Sequence, residues 1–364
     1  MSTRSQNLIA VFTLTLCLFS SGCILNAVPG FRAKRAPLKV YGPLVPSLDA
    51  NAATDIQAYE KYAAQIRIYL NQEKFDEIDA IADDVRSKQT RFAGGAWKLH
   101  KLYWGLREPT DARKAPDAVW QMHIKHLQNW VEKKPESITA RVGLADAYLE
   151  FAWHARGYGF ANTVTDEGWK LMHERVALAE EVLAEAKKLK AKCPQWYLMM
   201  QIVAKGQSWD LERYNPMFEE GIALEPTYHY LYSEKAQYLL PRWHGEEGDW
   251  ERFTEETSNK LEGKLGSIVY YVVATDLACY YDDQEFFTQT NISWPKIKQS
   301  YVELEKVHGT SIKGLNDLCR IAGQAGDKAY TKELLQKIGD NWDPETWGTR
   351  EYFEHYRAWA ASGD

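Results

Sequence analysis

The chain has 364 residues, with 44 lysine and arginine residues, 50 aspartate and glutamate residues and a formal net charge of −6. This mildly acidic balance lacks the basic surface that nucleic-acid binding requires, so we expect no nucleic-acid partner. Beyond residue 23 the cysteines are Cys193, Cys279 and Cys319, an odd number without short spacings. A disulfide framework and a zinc site are therefore excluded, and at least one thiol should be free and buried, although one long-range disulfide stays open.

The N-terminus has the order of a bacterial export signal. Arg4 precedes residues 8–21, which carry no charge, and the small residues 20–22 lead to Cys23. The uncharged stretch is shorter than the roughly 20 residues that a membrane-spanning helix needs. The segment before Cys23 resembles the lipobox, whose cysteine is diacylated before cleavage, although Ser20 stands where leucine is usual. We predict lipidation of Cys23; an ordinary signal peptide cleaved in the same region is the alternative.

A segment rich in proline and glycine follows the signal. Residues 23–53 lack a sustained apolar period, which is typical of a flexible tether. We therefore divide the chain into a signal peptide, residues 1–22, a tether, residues 23–53, and one helical domain, residues 54–364. Acyl chains on Cys23 would hold that domain at a membrane, and the predicted location is the bacterial cell envelope.

Nearly every segment from residue 55 onward has apolar residues at helical spacing, and almost none alternates like a strand. The class is therefore all-α. Residues 194–210 and 211–224 form a predicted helix pair that Glu225 and Pro226 close. The first two helices are predicted from two stripes, Ile56, Tyr59, Ala63, Ile66 and Leu70, and then Phe75, Ile78, Ala82 and Val85.

The helix pairs repeat at intervals close to the period of about 34 residues that tetratricopeptide units have. The C-terminal helices are predicted at residues 311–323, 326–338 and 345–361. Because a single pair cannot bury its apolar face, we predict a right-handed superhelix of antiparallel helix pairs, a tetratricopeptide-like α-solenoid. The aspartates expected to cap the second helix of successive pairs are Asp210, Asp249, Asp283 and Asp327.

Three stretches of the chain resemble one bacterial family. They are Trp97-Lys98-Leu99, the run AWHARGYGFA at residues 152–161, and residues 239–250, which contain LLPRW and GDW. In this order they are similar to the domain of unknown function 4034 family, over most of residues 70–260. The resemblance implies exported or envelope proteins with a tetratricopeptide-like helical body, and it implies no reaction.

Two segments interrupt the repeat and are candidate binding sites: the glycine-rich loop at residues 156–168 and the turn at residues 242–246. An arginine beside aromatic residues can bind an acidic or aromatic ligand through ion pairing and stacking. The alternatives are that Arg156 binds helix-end carbonyls and pins its loop, and that Arg242 docks neighbouring repeats. The candidate binding surface consists of Arg156, Trp209, Arg242, Trp243 and His244.

Catalytic and metal-binding signatures are incomplete. His173 and Glu174 begin a zinc-protease motif, but Ala177 stands where the second histidine belongs. His123 and His126 are three residues apart on one helix, yet no carboxylate or cysteine completes a metal site, so we expect surface histidines. We therefore predict no catalytic residue, no cofactor and no metal.

The sequence favours a non-catalytic function. A membrane-anchored superhelix offers an extended concave surface, so we predict a scaffold that binds an envelope protein or peptide. The alternative is a glycan-binding or small-ligand-binding protein, or an enzyme, in which the loop at residues 156–168 and the turn at residues 242–246 form two walls of a pocket. In that case the arginines of both segments should converge with Trp209 and His244 on one open cavity.

Overall fold

The architecture comes from a computed structural model, which describes residues 52–157, 159, 161–283 and 285–362. Within these residues the chain has 17 α-helices and no β-strand, apart from an isolated bridge between Arg91 and Trp97. The all-α prediction is confirmed. None of these helices has the length and apolar character needed to cross a membrane. The predicted signal peptide, Cys23 and the tether up to residue 51 lie outside the described residues.

The helices follow one another along the chain, and the twelfth and sixteenth helices have only four residues each. Their bounds are α1 (Asp55–Asn71), α2 (Phe75–Ser87), α3 (Lys98–Leu106), α4 (Asp117–Lys133), α5 (Ile138–Arg156), α6 (Asp166–Lys187), α7 (Pro194–Gly206), α8 (Leu211–Leu224), α9 (Tyr230–Tyr238), α10 (Asp249–Lys260), α11 (Leu265–Leu277), α12 (Phe286–Gln289), α13 (Trp294–His308), α14 (Ile312–Gln324), α15 (Lys328–Ile338), α16 (Pro344–Trp347) and α17 (Arg350–Ala361).

Several helices start at side chains that accept hydrogen bonds from free backbone N–H groups. Thr54 caps α1, Asp210 caps α8 and Asp327 caps α15, each by accepting from the amide three residues ahead. The two aspartates are caps that the sequence predicted, and α8 has its predicted bounds. The apolar stripe predicted for α2 is also confirmed, because all four of its residues are buried: Phe75, Ile78, Ala82 and Val85.

Seven alternate helices form an inner ring. In order around it, α1 contacts α3, α3 contacts α5, α5 contacts α7, α7 contacts α9, α9 contacts α11, and α11 contacts α14. Helix α14 in turn contacts α1, which closes the ring. The intervening helices are less buried: eleven of the 13 residues of α7 are buried, against four of the 14 residues of α8. Helix α7 packs on α8 and α14 packs on α15, as the predicted pairs require.

The first and last helices meet where the ring closes. The Ser311 hydroxyl donates a hydrogen bond of 2.6 Å to the Asp55 carboxylate. Gly94 lies against the same serine, so that a Cβ added to this glycine would be 2.4 Å from the Ser311 Cβ. Nearby, the Trp97 indole donates to the Thr227 carbonyl at 3.1 Å. These contacts join segments far apart in the chain, and the periodicity of the sequence does not predict them.

Three predicted details are wrong. The last helix is not continuous over residues 345–361, because Gly348, at a φ of 68°, separates α16 from α17. Asp249 is the first residue of α10 and does not occupy its N-cap position. Asp283 caps no long helix; its carboxylate instead lies 3.2 Å from a guanidinium nitrogen of Arg320. A backbone turn at Gly348 thus interrupts the predicted last helix, and an ion pair with Arg320 engages the Asp283 carboxylate.

Two of the cysteines serve packing. Cys193 and Cys319 are free and buried, which confirms the prediction of at least one free thiol in the interior. Burial raises the pKa of Cys319 to about 12. Its thiol therefore stays protonated at neutral pH and behaves as a small apolar side chain.

Candidate functional site

Where the ring closes, α3, α9, α11 and α14 line a half-open cavity of about 130 Å³, which we call the closure cavity. Three of its lining residues are cations, and a buried charge costs free energy unless a partner compensates it. The way in which each charge is compensated therefore decides what the cavity can bind. The side chains that define its chemistry are Tyr59, Lys101, His229, Asp276, Lys313 and Arg320.

Two of the three cations have counter-ions within the protein. Lys313 Nζ lies 2.6 Å from Asp317 Oδ1 and 3.3 Å from Asp343 Oδ2. Burial by itself would lower the pKa of Lys313, but these carboxylates raise it above its ordinary value. Arg320 Nη2 lies 3.2 Å from Asp283 Oδ1. Both side chains stay charged, and their charges are balanced inside the fold.

Lys101 is the third cation and lacks such a partner. The residue is only 6% exposed, and in the described part of the chain its ammonium group makes no hydrogen bond and no ion pair. It lies over the rings of Trp104 and Tyr59, at 4.5 Å and 5.0 Å from their centroids. Such rings attract a cation but do not neutralise it. Burial lowers the pKa of Lys101, although the Glu345 carboxylate acts in the opposite direction.

Asp276 is the one charged residue of α11, whose sequence is LGSIVYYVVATDL. The Ser233 hydroxyl donates to its Oδ2 at 2.6 Å. Burial raises the pKa of Asp276 to about 7, against the hydrogen bond from Ser233 and with a further upward contribution from the Asp317 carboxylate. Near neutral pH this carboxyl group therefore exists both as a hydrogen-bond acceptor and as a donor.

The wall of the cavity at the start of α9 is uncharged. Burial lowers the pKa of His229 to about 3, and the nearby Arg91 guanidinium acts in the same direction. The imidazole is therefore neutral at physiological pH. The Tyr230 hydroxyl accepts a hydrogen bond of 3.3 Å from the Trp97 backbone N–H. A neutral aromatic wall thus faces the charged side chains of α3, α11 and α14.

Arg156, the first residue of the predicted binding surface, is held by its own loop. It ends α5 and is 6% exposed. Its Nη1 donates to the carbonyls of Gly157 at 3.3 Å and Gly159 at 3.1 Å. Arg156 thus binds carbonyls and pins its own loop, which was the alternative to ligand binding for this arginine. The loop itself is shorter than expected, because α6 begins at Asp166.

Arg242 and His244 bind backbone carbonyls of neighbouring helices. Arg242 Nη2 donates to the Tyr280 carbonyl at 3.1 Å. His244 Nε2 lies 3.2 Å from the Lys205 carbonyl oxygen. Both contacts tie the turn between α9 and α10 to an adjacent segment, which is the docking role considered for Arg242 in place of ligand binding.

The two tryptophans of the predicted surface are also packed. Trp209 is 8% exposed, and its Nε1 donates to Gln207 Oε1 at 2.8 Å. Trp243 meets Trp153 edge to face, with 6.1 Å between the ring centroids. The Arg156 guanidinium lies 5.4 Å from the centroid of the same Trp153 ring. The structure therefore brings the loop after α5 and the turn after α9 together, but as a packed layer.

None of the five predicted surface residues lines the closure cavity. Four of them have a polar group bonded to a neighbouring atom, and the fifth, Trp243, packs on another tryptophan. This geometry serves the docking of the ends of α5, α7 and α9. The charged cavity of this protein thus lies elsewhere than the pocket considered at residues 156–168 and 242–246.

The expectation that His123 lies on the surface is wrong. Its side chain is buried, and Nε2 lies 2.6 Å from the Leu106 carbonyl oxygen. Burial lowers the pKa of His123 to about 4, so the ring is neutral and serves as a hydrogen-bonding core residue. Among the residues that the structure describes, no group of three or more His, Cys, Asp or Glu side chains is arranged to hold a metal ion.

Residues 62–207 match the model of a protein family described as Domain of unknown function (DUF4034). The chain is similar to this family over that segment. The DUF4034 segment runs from within α1 to the end of α7, so it supplies Lys101 to the closure cavity, whereas α9, α11 and α14 follow it. The stretch at residues 239–250, which formed part of the resemblance, lies outside the matched segment. No curated protein and no solved structure matches the chain.

Sequence reasoning missed Lys101 and Asp276, although a signal was present for each. Asp276 is a single charge in an otherwise uncharged helix of 13 residues. Lys101 lies in a nine-residue helix of which seven residues are buried. A charged residue in such surroundings is rarely buried, so it marks a candidate functional position. The two residues meet at one cavity only because the ring closes.

Proposed function

We propose that this protein is a ligand-binding protein of the bacterial cell envelope and that the closure cavity takes a small polar ligand. The observation that carries the proposal is a cavity lined by cations and carboxylates where α1 and α14 close the inner ring. Ligand sites are concave, largely preformed and provided with a few convergent polar groups. A genuinely empty cavity is lined by apolar groups, whereas a polar one is filled by water or by a ligand.

In this proposal the helical body is a right-handed, tetratricopeptide-like superhelix that winds until its ends meet. The succession of inner-ring contacts from α1 to α14 supports it, as does the packing of consecutive helices on one another. Each helix pair in such an array buries its apolar face against its neighbours. Closure then brings residues from both ends of the ring around one half-open cavity.

Attachment to the envelope membrane through Cys23 is the second part of the proposal, and it is supported by the order of the N-terminal segment. Metabolic labelling with an alkyne analogue of palmitate tests it. We expect the full chain to carry the label and to sediment with membranes, and Cys23→Ser to lose both properties. Cys17→Ser, in the same segment, is the matched control and should keep them. A labelled Cys23→Ser variant would refute lipidation at this residue.

Binding of an envelope protein or peptide along an extended aromatic surface has less support. Eight of the 14 tryptophans are buried, among them Trp97, Trp120, Trp130, Trp250 and Trp347, and the other six are partly buried. The buried rings fill the space between helices, so they are not available to a partner. Under the present proposal a peptide contributes only the group that enters the closure cavity.

Hydrogen–deuterium exchange of the full chain, with and without pools of small polar metabolites, tests the main proposal. We expect a bound ligand to slow exchange in α3, α11 and α14 around the cavity, because binding suppresses local opening there. The outer helices α6 and α8 serve as internal controls and should not change. Protection confined to the outer helices or to the loop at residues 156–168 would show that the site lies elsewhere.

Catalysis in the same cavity is a second candidate, which the opposite pKa shifts of Lys101 and Asp276 favour. A lysine whose pKa is lowered serves as a base or nucleophile, and a carboxyl group near pH 7 serves as a general acid or base. Following a bound ligand by NMR separates the two functions. Conversion that Asp276→Asn abolishes without loss of binding would identify an enzyme, whereas an unchanged ligand supports binding alone.

A further inference from the structure

Lys101 decides which chemical group the closure cavity recognises. The other two cations of the lining, Lys313 and Arg320, have their counter-ions within the protein. The Lys101 ammonium has neither hydrogen-bond nor ion-pair partner in the described residues, although the side chain is 94% buried. Transfer of an ammonium group from water to such a position is unfavourable unless an anion joins it. The Glu345 carboxylate raises the pKa of Lys101 but does not offset the effect of burial, so the anion that pairs with this ammonium is sought outside the protein.

We propose that the closure cavity binds a carboxylate group and that the Lys101 ammonium is its counter-ion. This inference rests on the ligand-binding function proposed above and names the group that is bound. A hydrogen bond between an ammonium and a carboxylate is about twice as strong as one between neutral groups. The rings of Tyr59 and Trp104 flank the ammonium and hold it in place before the ligand arrives.

The acidic residues of the lining favour a singly charged anion. Asp276, Asp317 and Glu345 also face the closure cavity, and they repel a phosphate dianion about twice as strongly as a carboxylate. Lys313 offers little compensation, because its charge is already paired with Asp317. A ligand that also carries a hydroxyl or ammonium group can donate a hydrogen bond to the Asp276 carboxylate. Hydroxy acids and amino acids carry both groups.

The volume of the cavity restricts the bound group to a small one. About 130 Å³ is about ten times the 10–15 Å³ that a single water molecule requires, so the space admits a molecule of several heavy atoms. A short free acid fits this space, and so does the C-terminal carboxylate of a peptide whose remaining residues stay outside. The recognised chemistry is the same in both cases, and the experiment distinguishes the two sources.

Calorimetric titration of the full chain with acetate, lactate, alanine, succinate and glucuronate tests the inference. We expect saturable binding of at least one acid, and binding at least tenfold weaker for the neutral amide of that acid. A pentapeptide with a free C-terminal carboxylate and its C-terminally amidated twin form the second arm. Binding of the peptide acid, with none of the five small acids, would support the inference and identify a peptide terminus as the source.

Three variants assign the binding to Lys101. Lys101→Met should weaken binding of the acid at least tenfold, and Lys101→Arg should retain most of it because the charge remains. Lys125→Met, at an exposed lysine of α4, is the matched control and should bind as the wild type does. If Lys101→Met fails to fold, the comparison of acid with amide decides alone, since it needs no variant.

The outcomes separate this inference from the proposed function. Equal binding of acid and amide, or an unchanged affinity in folded Lys101→Met, would overturn the carboxylate inference but leave a ligand in the cavity. Failure of all five acids and of the peptide acid would overturn the inference as well. In that case exchange protection of α3, α11 and α14 by a neutral ligand would show that the proposed function still holds.

Discussion

The Asp55 carboxylate accepts a hydrogen bond of 2.8 Å from the backbone N–H of Ile312, which is 257 positions away in the chain. The second carboxylate oxygen accepts from the Lys313 N–H at 3.2 Å. A residue in the first turn of α1 thus satisfies N–H groups that would otherwise be free at the start of α14. The cap and the closure of the inner ring are the same contact.

We expect Asp55→Ala to lower the free energy of unfolding by about 1 to 2 kcal/mol, because loss of a capping carboxylate leaves backbone N–H groups without acceptors. Urea denaturation of the full chain measures the change. Asp166→Ala is the matched control, since this exposed aspartate is in the first turn of α6 without a role in closure, and we expect about 0.5 kcal/mol or less. Similar losses in both variants would contradict the closure role of Asp55.

Gly94 is required by the same closure for two separable reasons. Its φ of 75° favours glycine, and a Cβ at this position would lie 2.4 Å from the Ser311 Cβ. We expect Gly94→Ala to cost about 1 to 2 kcal/mol for the left-handed backbone and about 1 to 3 kcal/mol more for the collision. Thermal and urea unfolding measure the sum.

Gly248→Ala isolates the backbone contribution. Gly248 has nearly the same conformation, with φ of 84° and ψ of −4° against 75° and 3° at Gly94, and a Cβ there would meet no atom within 4 Å. Gly248→Ala should therefore lower the free energy of unfolding only by the backbone contribution of about 1 to 2 kcal/mol. Equal destabilisation of the two variants would show that the contact between Gly94 and Ser311 is not tight in solution.

The sequence predicted local structure well and the site poorly, for a physical reason. The stripe of α2 and the bounds of α8 depend on contacts within one or two turns, so apolar spacing and Asp210 predict them. The closure depends on Asp55 meeting Ile312, and no short pattern marks such a pair. The break at Gly348 is different: a single glycine with a φ of 68° ends α16, and the prediction of one helix over residues 345–361 did not take this glycine into account.

The candidate surface illustrates why exposed and buried arginines are hard to distinguish in a sequence. Arg156 and Arg242 stand among glycines and aromatic residues, as ligand-binding arginines often do, yet both donate to backbone carbonyls of the fold. A guanidinium has five N–H donors, so it satisfies helix ends as readily as ligands. Lys101 has the simpler group, and among the described residues its ammonium has no hydrogen-bond or ion-pair partner.

A buried ion pair supports the layer that contains Trp243. Lys205 Nζ lies 2.6 Å from Glu234 Oε1, and the two side chains are 1% and 5% exposed. We expect Glu234→Gln to lower the free energy of unfolding by about 3 kcal/mol, because it leaves the Lys205 charge buried without its carboxylate.

The double variant Lys205→Met with Glu234→Leu removes both charges and is the matched comparison. It should lose less stability than Glu234→Gln, since no uncompensated charge remains. Urea denaturation of the three proteins gives both values. A double variant that is less stable than the single one would show that the pair contributes more than mutual neutralisation.

Lys101 should reduce the stability of the protein without ligand. We expect Lys101→Met to raise the free energy of unfolding at pH 7 by about 1 to 3 kcal/mol, because it removes a buried cation that lacks a counter-ion. A residue with only a structural role would give the opposite sign. Lys125→Met, at an exposed position, should change stability by about 0.5 kcal/mol or less.

The difference in free energy of unfolding between Lys101→Met and the wild type should also depend on pH. The pKa of Lys101 in the folded chain lies below its ordinary value of 10.5. Between the lowered pKa of the folded chain and pH 10.5, the folded wild type loses the Lys101 proton before the unfolded chain does. The free energy of unfolding of the wild type therefore rises with pH in this interval. The difference between variant and wild type should therefore narrow toward pH 10.5. A difference that does not change with pH in this interval would mean that Lys101 is solvated in the folded state.

Asp276 should give the free energy of unfolding the opposite pH dependence, at a lower pH than Lys101. Burial is the main cause of its raised pKa, and the groups around it act in both directions. The titratable groups that face it from its own helix and from the helices packed against it are Lys101 on α3, Tyr230 on α9, Tyr271 on α11, and Lys313 and Asp317 on α14.

We expect Asp276→Asn to become progressively more stable than the wild type between about pH 4 and pH 7. The pKa of this carboxyl group is about 7 in the folded chain against 3.8 as its ordinary value, so in this interval the unfolded chain has lost the proton that the folded chain keeps. Wild-type stability attributable to Asp276 therefore falls as pH rises and is constant above about pH 7. Asparagine remains neutral and still accepts from the Ser233 hydroxyl. Urea denaturation of both proteins at pH 4, 5.5 and 7.5 measures the difference in free energy of unfolding, and Asp166→Asn, at an exposed position, is the control. A difference that stays constant across these pH values would show that Asp276 ionises in the folded chain at its ordinary pKa.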